Sequence, residues 1–280
     1  MGYGLWVMSC KFELPTTNYQ LPTTNYQLPT TNYQPARTSF VTGKLLTSLI
    51  HQYLPLAVMS VSLRQKKMIM ASETLEKLNW RYATKKFNKS QTLSEEKIEI
   101  LKQAFNLTAT SYGLQPIKMI SIKDKEVQAQ LVPFTMQQQQ VADASHVLVL
   151  CVEKTISKHY IKEYFSRVAA IRNTPAAILQ PFEAFLIDSF SEKETSEIRQ
   201  WMEKQAYIAL GNLLTVCAYE QIDACPIEGF EPEAYDTFLE LDKRNLNSVL
   251  VLAVGHRAED DMFATMKKVR KGVDNVVIDY

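Results

Sequence analysis

The sequence predicts an α+β fold in which a sheet lies between helical layers. Three observations carry this. Val147 to Val152 is an unbroken apolar run, the pattern of a strand covered on both faces. Trp201 to Tyr219 is apolar nearly all round, the pattern of a central buried helix. Helical patterns outnumber strand patterns, and the strand-like runs fall between them.

The elements follow in order. Ser72 to Tyr82 reads as a short amphipathic helix with Leu75, Leu78 and Tyr82 on one face. Thr92 with Glu95 reads as a capping box, and Ile98, Leu101, Ala104 and Phe105 form a helical stripe behind it. Ser111, Tyr112, Gly113, Gln115 and Pro116 make a polar turn, either a plain loop or a place where a ligand is met. Ile117 to Ile122 is a short strand. Lys158 to Val168 and Pro175 to Phe190 read as helices rich in Tyr and Phe. In the central helix, Gly211 marks a point where another backbone comes close. Pro232 opens a further helix at its first position, carrying Tyr235, Phe238 and Leu239, and Val249 to Val254 is the last strand.

Between the central helix and that last helix stands Cys225-Pro226-Ile227-Glu228-Gly229-Phe230. Proline fixes the backbone and glycine frees it, so the loop holds its N–H groups in one place. Such a loop suits a flat, electron-rich heterocycle that needs a donor beside its reactive atom. An ordinary helix-to-strand turn accounts for the same residues.

The first part of the chain reads differently. LPTTNYQ occurs three times between Leu14 and Gln34, with no a/d apolar positions for a coiled coil. The heptanucleotide CAACTAC repeated in tandem encodes Gln-Leu-Pro-Thr-Thr-Asn-Tyr, so the repeat needs no selection on protein structure. Residues 1–69 are read as translated repeat DNA, non-native or disordered, with Met68 or Met70 as the initiator. Leu45 to Val61 is apolar but broken by His51, Gln52 and Pro55, and falls short of the roughly 20 residues of a membrane span.

The remaining 211 residues, 70–280, suit one domain or a subunit that completes its core by pairing. Six Lys/Arg against one Glu in residues 1–69 leave the core at −4 of the total +1. That balance gives no overall attraction to nucleic acid. Cys10, Cys151, Cys217 and Cys225 form no C-x-x-C pair and read as thiols in a reducing, cytoplasmic setting. No two core glycines are spaced for a dinucleotide or Walker loop, so any phosphate must be held by side chains. Cations for that task stand at Arg81 and Lys85, and at Lys267, Lys268, Arg270 and Lys271; each is also a natural solvated surface group. His146, entering a buried strand, reads as a satisfied core histidine, and His256 as exposed. No nucleophile or metal-ligand set is present, which leaves a cofactor with its own reactivity as the natural alternative.

The chain carries Arg81-Tyr-Ala-Thr-Lys85-Lys-Phe87, Ser111-Tyr-Gly-Leu-Gln115-Pro116 and Asp143-Ala-Ser-His146. Trp201-Met-Glu-Lys204-Gln205-Ala-Tyr207, Pro226-Ile-Glu-Gly-Phe230, Gly255-His-Arg and Lys268-Val-Arg270 follow. In this set and this order the motifs resemble those of the nitroreductase family. The nearest likeness is to the oxygen-insensitive NAD(P)H nitroreductase and dihydropteridine reductase subgroup.

That resemblance implies a central mixed sheet, an intertwined homodimer and one FMN site at each subunit interface. Arg81 and Lys85, with Tyr82 and Ala83 between them, would hold the ribityl-phosphate and pyrimidine side of FMN. Lys268 and Arg270 would clamp its phosphate. Pro226, Ile227, Glu228 and Gly229 would lie along the isoalloxazine, with an N–H of Glu228 or Gly229 at N5. Thr110, Ser111 and Gly113 would come from the partner, and Gln137 and Gln140 would touch flavin or nicotinamide. The implied reaction is ping-pong hydride transfer from NADH or NADPH through N5 to a nitroaromatic, quinone or flavin. A flavin-binding protein without turnover and a specialised flavin reaction are the alternatives. Tyr82-Ala83 replaces the family's usual His-Ser, Gln140 a frequent lysine and Ile117 a common Trp. Lys85 is thus the one cation implied near N1/O2.

A chain beginning at Met70 is expected to express, fold and take up flavin like the full sequence. Thermal melting and flavin content check this; misfolding or loss of flavin in the shortened chain contradicts it.

Overall fold

The structure is a computed structural model that describes residues 72–280; the repeat and both candidate initiators lie outside the described residues. In chain order the helices are α1 (Glu73–Trp80), α2 (Glu95–Asn106), α3 (Lys125–Leu131), the single turn α4 (Gln140–Asp143), α5 (Lys158–Arg172), α6 (Ala176–Ser191), α7 (Thr195–Tyr219) and α8 (Pro232–Phe238). The strands are β1 (Ile117–Ile122), β2 (His146–Glu153), β3 (Asp223–Ile227) and β4 (Leu246–Gly255).

The sheet order is β1-β2-β4-β3, and each neighbouring pair is antiparallel. Val149 faces both Ile120 and Val251, and Cys225 faces Ala253. The expected mixed character comes down to one parallel bridge, Ala83 to Ala224, outside the four strands. Pro226 sits in β3, an edge strand, where a missing N–H breaks no central ladder.

Side chains alternate across a strand, and here the alternation feeds two cores. Leu148, Leu150 and Val152 join Leu250, Leu252 and Val254 against α2, α5, α6 and α7. Val147, Val149 and Cys151 join Val251, Ala253 and Ile227 against Leu131, Phe230, Tyr235 and Leu241. The three described cysteines are buried free thiols, as expected. Among the described residues no helix is long and apolar enough to cross a membrane.

Two expectations need correction. The N-cap of α2 is Ser94, whose hydroxyl accepts from Lys97 N at 3.3 Å, and Thr92 lies outside the helix. Leu93 decides this: it is buried and its N–H donates to Ser145 Oγ at 2.8 Å, which holds the chain extended until Ser94. Gly211 meets no other backbone among the described residues, since a Cβ added there has nothing within 4 Å. It lies on an exposed part of α7 with Tyr207 and Ile208, turned away from the sheet. His146 is buried with Nδ1 2.9 Å from Ser145 Oγ, as a core histidine should be, and burial pushes its pKa down. His256 is only half-exposed, and its carbonyl accepts from Asn88 N.

Leu148→Ala is expected to destabilise the protein by about 3 kcal/mol in urea unfolding, because its site is sealed from both sides. Leu75→Ala, on the 37% exposed face of α1, is expected to cost under about 1 kcal/mol.

Candidate functional site

α1 ends at Trp80, and the chain then runs extended along the edge of β3. Ala83 bridges Ala224, and Thr84 N donates to Ala224 O at 3.2 Å. Further on, the strand end and the turn after β4 take over. Phe87 bridges Arg257, Ala258 N donates to Lys86 O at 2.9 Å, and Asn88 N donates to His256 O at 2.8 Å.

Asp261 closes this seam. Its side chain is buried, and one oxygen accepts from Tyr82 Oη at 2.9 Å, Lys85 N at 2.9 Å and Lys86 N at 3.1 Å. The other accepts from Phe263 N at 3.1 Å. Burial pushes the carboxyl pKa up, but these hydrogen bonds outweigh it and hold the group below the usual carboxylate range. The Tyr82 phenol moves the opposite way, raised first by burial and then by its bond to Asp261.

Beside the seam is a cluster of cations. Lys268 Nζ donates to Arg81 O across 187 residues of sequence. Burial lowers the pKa of Arg81, and Arg270 lowers it further. Lys268 is lowered by burial, then by Arg81, Arg270 and Arg257. Arg270 itself is exposed, and its Nη1 donates to Val269 O at 2.7 Å. Among the described residues none of Arg81, Lys85, Lys268 and Arg270 forms a salt bridge, whereas Lys86 pairs with Asp260 and Arg257 with Asp223. Mutual repulsion without an acidic partner leaves a place suited to an anion. Lys85 is exposed, and its charge is felt by the buried Cys225 thiol, which puts it near β3.

The anticipated loop is shorter than Cys225 to Phe230, because Pro226 and Ile227 belong to β3. Glu228 and Gly229 form the turn that follows. Glu228 O accepts from Phe230 N at 3.0 Å, and Gly229 O accepts from Gln138 Nε2 at 2.9 Å. Glu231 N donates to Phe134 O at 2.8 Å, and a Cβ on Gly229 would stand 3.0 Å from Met136 Sδ. The N–H groups of Glu228 and Gly229 donate to no acceptor among the described residues. Tyr207 Oη donates to Glu228 Oε1 at 2.6 Å, a bond that, more than burial, pushes the phenol up to about 12.

Gln137 adjoins this turn in left-handed backbone, φ 58°, but Gln138 makes the hydrogen bond. Gln140 begins α4, and its carbonyl accepts from Ala144 N. Thr110, Ser111 and Gly113 are not joined to the cation cluster by any hydrogen bond or ion pair among the described residues. Ser111 N donates to Gln205 Oε1 at 2.9 Å, two positions from Tyr207 on α7. Two positions turn about 200° around a helix, so Ser111 and Glu228 meet opposite sides of α7. Gly113 has φ +71°, and a Cβ there would lie 2.7 Å from Tyr164 Oη, so glycine is required.

Sequence reasoning overlooked Asp261, Gln138 and the pairing of Tyr207 with Glu228. Tyr207 stood inside a quoted motif. Asp261 reads locally as no more than a cap for the turn at Phe263, because its other three donors lie 175 to 179 positions away.

The model of the nitroreductase family matches residues 78–256. A Staphylococcus saprophyticus protein described as an NAD(P)H nitroreductase is 28% identical over 216 residues, 74% of this chain and 97% of that one. The crystal structure of a Bacillus subtilis nitroreductase superposes with a TM-score of 0.67 at 17% identity, over 74% of this chain and 99% of that one. A nitroreductase from Exiguobacterium sibiricum, solved in complex with FMN, gives 0.64 at 18% identity, over 75% and 98%. The matched span contains Arg81, Lys85 and the turn at Glu228, and the solved structures share the sheet and its helical layers. This chain belongs to the nitroreductase family.

Proposed function

We propose that the protein is an FMN-dependent NAD(P)H oxidoreductase acting on small-molecule electron acceptors. The observation that carries this is the cation cluster, which forms no salt bridge among the described residues, on the segment that pairs with β3, the strand leading into a turn whose two N–H groups have no acceptor among the described residues. The donor set fits FMN. Arg81, Lys268 and Arg270 would hold the phosphate, and Ala83, Pro226 and Ile227 would line the bound flavin. When bound, flavin supplies the hydride chemistry, taking a hydride from NADH or NADPH and passing electrons to a nitroaromatic, quinone or flavin. Glu228 N or Gly229 N would donate to N5. Lys85 would place positive charge near N1/O2, where reduction leaves negative charge. Tyr207 restrains the Glu228 side chain, and Gln138 restrains the Gly229 carbonyl, so the turn keeps its shape without ligand.

Thr110, Ser111 and Gly113 enter the site from a second subunit in this reading. Their place on the opposite side of α7 from Glu228 supports it, as do the exposed Tyr207 and Ile208, 47% and 50% accessible. A homodimer follows. Three buried free thiols agree with a reducing compartment such as the cytoplasm.

The protein is expected to purify yellow with about one FMN per subunit, as one set of motifs builds one site. Colourless protein that takes up no FMN on reconstitution overturns the reading. Arg270→Ala is expected to weaken FMN binding about tenfold, with activity restored by excess FMN, because the phosphate is unchanged in turnover. Lys85→Ala is expected to lower the flavin midpoint potential and slow reduction by NAD(P)H at full occupancy. An unchanged potential and rate remove Lys85 from this role. Sedimentation is expected to give a dimer; a stable flavin-loaded monomer contradicts the two-subunit site.

A further inference from the structure

Arg257 has no assigned part in the flavin site, yet it is held on every side. Its Nε donates to Asp223 Oδ1 at 2.6 Å and its backbone N to Asp223 Oδ2 at 2.8 Å. The ring centres of Trp80 and Tyr82 lie 4.4 and 4.6 Å from its guanidinium carbon, one aromatic group from each flank of Arg81. Nη2 is buried without a hydrogen-bond partner among the described residues. Leaving an arginine N–H orphaned is costly, so this packing favours something other than pairing alone. A planar guanidinium can stack on both rings while its Nε stays on Asp223, whereas an ammonium is a compact charge with no plane to stack.

The consequence falls on Arg81. Its backbone has the polyproline II conformation, φ −71° and ψ 142°, in which successive side chains are turned about 120° from one another. With Trp80 and Tyr82 both drawn to Arg257, the Arg81 side chain is left the remaining direction, where the charges of Arg270 and Lys268 reach it. Asp261 locks Tyr82 in that orientation through its hydroxyl, and Lys268 holds the Arg81 carbonyl. We propose that Arg257 is a positioning residue which, by gathering Trp80 and Tyr82, aims Arg81 at the flavin phosphate. This rests on the FMN reading above. Arg257 touches no flavin and acts only through its two ring partners.

The experiment titrates apoprotein with FMN and with riboflavin, which lacks the phosphate, following flavin fluorescence. The variants are Arg257→Lys, Arg81→Ala and the double substitution, with Trp80→Leu as a second approach that leaves the Arg257–Asp223 pair intact. Arg257→Lys is expected to shrink the preference for FMN over riboflavin about fivefold, with riboflavin affinity held within about twofold. In the Arg81→Ala background the same substitution is expected to change that preference by less than about twofold, since the two act as one unit. Trp80→Leu is expected to act in the same direction, and it decides the matter if Arg257→Lys does not fold. An equal effect with and without Arg81, or an unchanged preference, overturns the role of Arg257 and leaves the FMN reading standing. Wild-type apoprotein that binds neither flavin overturns both.

Discussion

Burial of β2 on both faces is the constraint on which the rest of the structure depends. None of its eight residues is more than 8% exposed. A strand in that position needs two covers, because alternate side chains point to opposite sides. The long helices supply one, and α3, α8 and the turns around them supply the other. β4 is drawn into the same arrangement and fills the second central place. Only β1 and β3 are left at the edges, and the candidate site grows from the β3 edge.

That edge carries unusual demands. The segment from Arg81 to Asn88 pairs only briefly with β3 and with the turn after β4, so side chains must finish the job. Asp261 does much of it. A buried carboxylate is expensive unless its oxygens are filled, and here four donors fill them. Two of the donors are backbone N–H groups of Lys85 and Lys86. Satisfying Asp261 therefore fixes the backbone from which the Lys85 side chain extends. Arg81, Lys268 and Arg270 repel one another, and Lys268 stays among them through the bond of its Nζ to the Arg81 carbonyl. A phosphate would relieve that repulsion.

The elements were largely legible. β1 has the bounds that its apolar run predicted, and β2 exceeds the Val147 to Val152 run by one residue at each end. Helix α7 contains the apolar stretch from Trp201, but begins a turn and a half earlier at a capping box of Glu194 and Glu197. Errors arose where two local signals competed. Thr92 and Ser94 are both fit to cap α2, and only the burial of Leu93 chooses between them. A glycine in an apolar helix signals room for close packing but not what packs there, and at Gly211 nothing does among the described residues.

Periodicity, turn chemistry and motif order in the sequence by themselves determined the α+β class, most element positions and the set of cations that gather at the site. Those are local properties, set by the alternation of a strand and the pitch of a helix. Tertiary structure alone decided which cations were left without acids and which were neutralised. Lys86 and Arg257 found Asp260 and Asp223, while Arg81 found Lys268 through its carbonyl. It also decided that Gln138, and not its neighbour Gln137, reaches Gly229. The physical reason is the same in each case. A polar group takes the partner that packing brings to it, and that distance is not written in the neighbouring residues.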